Sequence, residues 1–453
     1  MNKLLLKGVA AAFCMATMFG TTACGDDDDL VNVEPPVEET QDVILEGEIT
    51  SDMTLKAADN NLLRGFVYVT DGVTLTIEPG TVIKGEKSSK GSLIVERGGK
   101  LIAEGTAEKP IVFTSDQPKA SRTYGDWGGL ILCGKSIVNN TAGEAQIEGG
   151  PRSYYGGKDP EDNSGIVKYV RIEFAGYPLE PNKEINGLTC GGVGRGTTIE
   201  YVQVSFCGDD SFEWFGGTVN AKHLIAYKGW DDEFDTDYGF QGKLQFLLGV
   251  RDPKHADTSK SNGFESDNDA DGSNNTPLTT PVFSNVTLIG PFYGESAGKT
   301  ENDIFYVTED AANGAKGGSF QAAMHIRRNS SLNVYNSIFV GWPYGLYLQN
   351  ANVGAVVKNV IFAGMWENFK EETSQNYFQT ADLSNLTYAS SNDIIAKDGD
   401  YTSIVADKID GADFSDTALN DAFFEKVSYK GAFDGKNDWA ANWTNFDPNN
   451  TEY

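Results

Sequence analysis

The chain has 453 residues, of which 36 are Lys or Arg and 65 are Asp or Glu, so its formal charge at pH 7 is −29. A surface this acidic excludes a general nucleic-acid binder, which needs basic groups to neutralise phosphates. It also repels polyanionic glycans unless a cation or a local basic patch intervenes.

Residues 1–23 read as a secretory signal. Lys3 and Lys7 precede an apolar run from Val9 to Phe19 that is too short to span a bilayer, and Thr21-Thr22-Ala23 ends it with small residues. Its removal takes two lysines and no acids, leaving −29 − 2 = −31. Cys24 at the cleavage point resembles the acylated cysteine of bacterial lipoproteins, and Gly25-Asp26-Asp27-Asp28-Asp29 resembles the surface-export signal of Bacteroides-type lipoproteins. That resemblance implies a lipid anchor in the outer membrane and a body facing the cell exterior. Residues 24–42, with Pro35-Pro36, Glu34, Glu38 and Glu39, read as an extended acidic tether.

From Val43 the pattern changes to short alternating strands. Phe66-Val67-Tyr68-Val69, Val73 to Ile77, Thr81 to Lys84, Ser92 to Val95 and Lys100 to Ala103 follow one another, broken by Glu78-Pro79-Gly80 and Gly98-Gly99. Such density fits a sandwich, a barrel or a β-helix. Repetition selects among them. Ile166 to Gly176, Thr198 to Gly208, Ala221 to Gly229, Val282 to Gly290, Leu332 to Gly341 and Val356 to Gly364 are variants of one unit: a polar residue, an alternating apolar strand and a terminal glycine. A solenoid must repeat itself, because each coil buries its apolar face only against its neighbours. The expected fold is an all-β, right-handed parallel β-helix over residues 43–370, in which Val170, Val202, Leu224, Val286 and Val360 stack inward.

Gly208-Asp209-Asp210-Ser211-Phe212-Glu213-Trp214-Phe215 and Trp230-Asp231-Asp232-Glu233-Phe234-Asp235-Thr236-Asp237 place Asp-Asp-x-Phe-acid in one register, 22 residues apart. Equivalent residues of successive coils lie about 4.8 Å apart, so Asp209 should sit over Asp231, Asp210 over Asp232 and Glu213 over Asp235. Like charges that close repel, and a hard cation held by carboxylate oxygens is the compensation to expect, calcium above all. Asp237, Glu265, Asp267 and Asp269 stand in reserve as ligands. The rival reading is a stack of side-chain oxygens accepting backbone N–H groups at coil corners. Trp214, Trp230 and Arg251 are candidate ligand-binding residues, the tryptophans stacking on sugar faces if exposed and joining the core if buried. Cys133, Cys190 and Cys207 remain in the mature body. They can be small buried side chains, or Cys190 can bridge Cys207.

Leu75 to Gly85 together with Gly105 to Thr114 resembles the opening coils of parallel β-helix proteins of the pectate-lyase-like class. Gly125-Asp126-Trp127-Gly128-Gly129-Leu130, followed by the Asp-Asp-x-Phe coils, resembles a family of Bacteroides-type surface lipoproteins. The resemblance implies the fold, and a place at the outer membrane beside a TonB-dependent transporter. Gly208-Asp209-Asp210 further resembles a motif of polygalacturonase-type hydrolases, where paired carboxylates serve as acid and base; Gly229-Trp230-Asp231 stands where that group has a histidine one coil later. A calcium-assisted polysaccharide lyase needs a base, for which Arg251, Lys228, Lys243 and the His325-Ile326-Arg327-Arg328 cluster are the candidates, none in a readable register with the acids. The functional expectation is therefore a calcium-loaded surface lipoprotein that binds an extracellular glycan, with a lyase or hydrolase and a purely structural surface protein as alternatives.

Residues 371–453 read as a small mixed cap on the last coil, with a short helix over Leu419 to Val427 that turns Phe423 and Phe424 inward.

Overall fold

The computed structural model describes residues 39–180, 183–292, 299–310, 314–350, 354–372, 380–397 and 399–453. The signal segment, Cys24 and the Asp26–Asp29 run lie outside the described residues.

The body is a right-handed parallel β-helix, with 27 strands joined into one continuous sheet by parallel pairings. Two of its walls are made by single long strands that bend. In Gly165–Glu173, Thr198–Ser205, Ala221–Tyr227, Lys243–Val250 and Val282–Ile289, one residue near the middle leaves the β region. Those residues are Tyr169, Tyr201, His223, Phe246 and Asn285, with φ of 48°, 53°, 57°, 60° and 58°. Strand side chains alternate with period two, and a left-handed residue resets that alternation. Val167 and Val170, three apart, therefore both face the interior, and both are buried. The register then stacks Val170 on Val202, Leu224, Leu247 and Val286. Val360 is buried as expected.

A left-handed conformation costs a branched or bulky residue roughly 1–2 kcal/mol, and the corner offsets it in two ways. Over the early coils the rings stack: Tyr169 on Tyr201 at 4.4 Å and 12°, and Tyr201 on His223 at 4.2 Å and 6°. His223 is thus a packed residue, and burial lowers its pKa to about 4. Over the late coils asparagine takes the same place, at Asn285, Asn336, Asn359 and Asn385. Asn359 Nδ2 donates to Asn336 Oδ1 at 2.7 Å.

The C-terminal region departs from its expected role. Solenoid strands continue past residue 370, to Asp382–Ser384 and Thr387–Ala389. The segment after them does not merely close the last coil: it runs back along the asparagine and aromatic corner toward the N-terminal end. Asn359 donates to the carbonyl of Gly411, Asn336 to Asp413, Asn285 to Tyr429, Gln203 to Asn445, and Lys84 to Tyr453. Leu419 to Val427 is not a helix. A 3-10 turn at Thr417–Leu419, capped by Asp416, leads into a stretch whose Glu425 amide is held by Gln245 Oε1. Docking on the wall overrides the local helical preference; Phe424 is buried there and Phe423 half-buried. Cys133, Cys190 and Cys207 are free and buried.

Candidate functional site

The third wall carries the acids. Its strands Leu188–Gly191, Phe212–Phe215, Phe234–Asp237, Phe264–Ser266, Ala322–Arg327 and Tyr344–Gln349 pair in parallel, in that order. Phe212, Phe234, Phe264, Met324 and Leu346 form one row and are fully buried. Pleating turns the next residue of each strand the other way. The outer row is consequently Glu213, Asp235, Glu265, His325 and Tyr347. The first step in it is the one the repeat predicts. The later one, Glu265 to His325, is hidden in the sequence because 60 residues separate the pair, the Val282–Ile289 strand among them. It corrects the reading that the His325–Arg328 cluster shares no register with the acids.

Alternation also settles the aromatics. Trp214 lies two residues from the inward Phe212 and is core, 1% exposed, stacked on Phe240 at 5.5 Å. It is not a ligand contact. Trp230, at the corner, stays half-buried and donates from Nε1 to the Ala256 carbonyl at 2.9 Å. Arg251 is fully buried and pairs with Glu233 at 2.6 Å, while also donating to the carbonyls of Gly229, Trp230 and Asn262. It closes the floor of the acidic corner from inside and cannot meet a ligand.

Three groups of carboxylates converge, each with ligand atoms within 4.8 Å of one another: Asp209, Asp210 and Asp231; Asp210, Glu213 and Asp235; and Asp232, Asp235 and Glu265. Asp210 and Asp235 are shared, so the groups interlock. Gly208 makes the first approach feasible, because a Cβ there would come 2.5 Å from the Gly176 carbonyl oxygen.

Some of these oxygens hold the coils together, as the rival reading requires. Asp210 Oδ1 accepts the Asp232 amide at 2.8 Å, Asp232 Oδ1 accepts the Asn262 amide, and Asn262 Oδ1 accepts the Ala322 amide at 3.1 Å. Asn186, which lies outside the repeated acidic motif, donates to Glu213, and Ser259 donates to Asp231 Oδ2 at 2.6 Å. Two oxygens are left over: Asp231 Oδ1 and Asp235 Oδ1 are buried and have no hydrogen-bond partner among the described residues. Corner bonding thus accounts for part of the ladder and leaves its centre uncompensated.

The reserve ligands divide. Glu265 joins the third group but also contacts Arg327 and lies 3.3 Å from His325 Nδ1. Asp267 is taken by Arg327 and Arg328, each at 2.8 Å. Asp269 accepts the amides of Asp271 and Ser273 in its own loop. Asp237 accepts the Tyr238 amide and belongs to none of the three groups. Of the other basic candidates, Lys228 lies over the Tyr227 ring at 5.1 Å and Lys243 pairs with Asp421.

Burial, reinforced by the charges of Asp209 and Asp232, holds Asp210 well above the usual carboxylate range. Burial acts in the same sense on Glu213, Asp232, Asp235 and Asp237, and it pushes Asp231 up to about 7. Burial raises Glu265 as well, but the close approach of His325 and the charge of Arg327 outweigh it, and its pKa is lowered. The raised acids bind more protons folded than unfolded between their ordinary and raised values, so stability falls as pH rises through that window. Chelator-treated protein should therefore melt at a lower temperature near pH 8 than near pH 5, as followed by circular dichroism. Glu265 acts oppositely, its contribution being lost only as pH falls through its lowered pKa.

A family model described as a pectate-lyase like beta helix domain matches residues 47–444. No curated protein and no solved structure matches the chain significantly.

Proposed function

The chain belongs to the pectate-lyase-like β-helix family, and from that premise we propose that it is a surface lipoprotein that binds an extracellular glycan on a calcium-loaded wall. The observation that carries this reading is the interlocked carboxylate groups around Asp210 and Asp235, in which Asp231 Oδ1 and Asp235 Oδ1 are buried without a hydrogen-bond partner among the described residues. An all-oxygen donor set with no cysteine or histidine in it suits a hard cation. A cation there would offset the repulsion among these crowded carboxylates. Cys24 and the Asp26–Asp29 run support anchoring at the outer membrane, facing outward, with a TonB-dependent transporter as the receiver of the captured ligand.

A second reading, a polysaccharide lyase, is favoured by one observation: His325 and Arg327 stand against Glu265 at the end of the acidic row. A lyase needs a free base beside its carboxylates. The Nε of Arg327 is bound to Asp267 and its Nη2 to Glu265, and His325 lies between Glu265 and Gln349. Binding is therefore preferred. On a glycan array the protein should retain a defined set of glycans with calcium and lose them in chelator, without shortening any of them. Chain cleavage with a new unsaturated end would replace this reading by the lyase. Cys24→Ala should move the protein from the membrane fraction to the soluble one.

A further inference from the structure

A cavity of about 340 Å³ opens on the corner beside the acidic wall, lined by Tyr124, Phe206, Trp230 and His255, with Arg122 and Lys316 also on its lining. Its volume is at the low end of the range of small-ligand sites, roughly 300–1,000 Å³. The rings are set by polar anchors. Tyr124 Oη donates to Asp252 at 2.9 Å, and His255 Nδ1 contacts the same carboxylate at 3.1 Å. Tyr124 and His255 lie face to face at 4.3 Å. Trp230 and Phe206 stand nearly at right angles to Tyr124, at 78° and 75°, and the indole is pinned through its bond to Ala256. All four rings are half-buried. Core packing would have closed over them.

Resting on the glycan reading above, we propose that this cavity is the sugar subsite, and that it takes one pyranose ring bearing an anionic substituent, a carboxylate or a sulfate. Faces of aromatic rings held at fixed angles match the C–H face of a pyranose, whose hydroxyls project to the rim. An aromatic box also suits an organic ammonium, but Arg122 and Lys316 disfavour a cation here. Two basic side chains on one small cavity are notable in a chain of net charge −29. Arg122 is largely committed, to the carbonyls of Gln117, Pro448 and Thr451. It supplies field, and the exposed Lys316 supplies the direct contact. Trp230 immediately precedes Asp231, so a ring seated here ends beside the carboxylate groups.

The test is calorimetric titration of the full chain, in calcium, with three oligosaccharide probes matched in length: neutral, uronate-bearing and sulfated. At least one acidic probe should bind, and which of the two does so identifies the substituent. Trp230→Ala and Lys316→Glu should each weaken it by about tenfold or more. Lys316 is exposed, so its variant should melt like the wild type and report on binding alone. If an acidic probe binds both variants as it binds the wild type, the subsite assignment is wrong while glycan binding stands. If the neutral probe binds as well as the acidic ones, the anionic requirement is wrong. If no probe binds the wild type, the glycan reading fails and this inference with it.

Discussion

Val202→Asp should destabilise the protein by on the order of 4 kcal/mol or more at neutral pH. Val202 is fully buried, registered between Val170 and Leu224 in the inward stack of the corner strands. No basic side chain belongs to that stack, so a carboxylate there must either remain charged in an apolar surrounding or take up a proton. Both alternatives cost free energy, and the second makes the loss smaller in acid. Val202→Ala opens only a small cavity and should cost less. Denaturant midpoints for the two variants measure the difference; equal losses would mean that the position is not part of a closed apolar stack.

Arg251→Ala should cost about 3–5 kcal/mol, because it strands a buried carboxylate and removes donors from backbone carbonyls. The pair it breaks is wholly buried, and burial already raises Glu233 to about 7 against the pull of Arg251. With the guanidinium gone, Glu233 should protonate, so the penalty should shrink near pH 5 relative to about pH 8. Replacing both partners by apolar residues of similar volume, Arg251→Met with Glu233→Leu, should recover most of the stability. Equilibrium unfolding at the two pH values checks this. A pH-independent loss would show that Arg251 acts through packing on Trp342, whose ring lies 5.7 Å away, and not through charge.

The coils that repeat are the coils legible in the sequence. Phe212 and Phe234 followed by Glu213 and Asp235 state both the coil length and the face each residue occupies. The same alternation places Trp214 inside, and it outweighs the general tendency of tryptophan to stack on sugars. His325 escapes the repeat for a physical reason: 60 residues separate it from Glu265, against 22 between Glu213 and Asp235, and a coil register cannot be counted across inserted chain on either side of the Val282–Ile289 strand. Arg251 looks like a surface charge because nothing in a sequence reports that the end of the Lys243–Val250 strand turns under the acidic corner. The path of the C-terminal segment is equally hidden. It is held by Asn285, Asn336 and Asn359 bonding to backbone carbonyls, and backbone acceptors carry no sequence signature.

Asn186 shows the same limit within the site: it donates to Glu213 without belonging to the Asp-Asp-x-Phe pattern. The mixed character of the ladder also follows from its geometry: one oxygen of Asp210 and one of Asp232 serve the backbone, while the group as a whole still converges. An isosteric change can therefore separate the two roles. Asn retains an oxygen that can accept the Asp232 amide in place of Asp210 Oδ1, but it lacks the charge a cation needs.

Calcium titrated into chelator-stripped protein is the measurement that bears most directly on the carboxylate wall. The wild type should bind with a dissociation constant of roughly 10⁻⁴–10⁻³ M, the range of extracellular calcium modules, and its melting temperature should rise with calcium concentration as binding to the folded form requires. The double variant Asp210→Asn, Asp235→Asn should fold and show neither response. No binding heat and an unshifted melting curve for the wild type at millimolar calcium would contradict the account and leave the ladder as corner bonding alone.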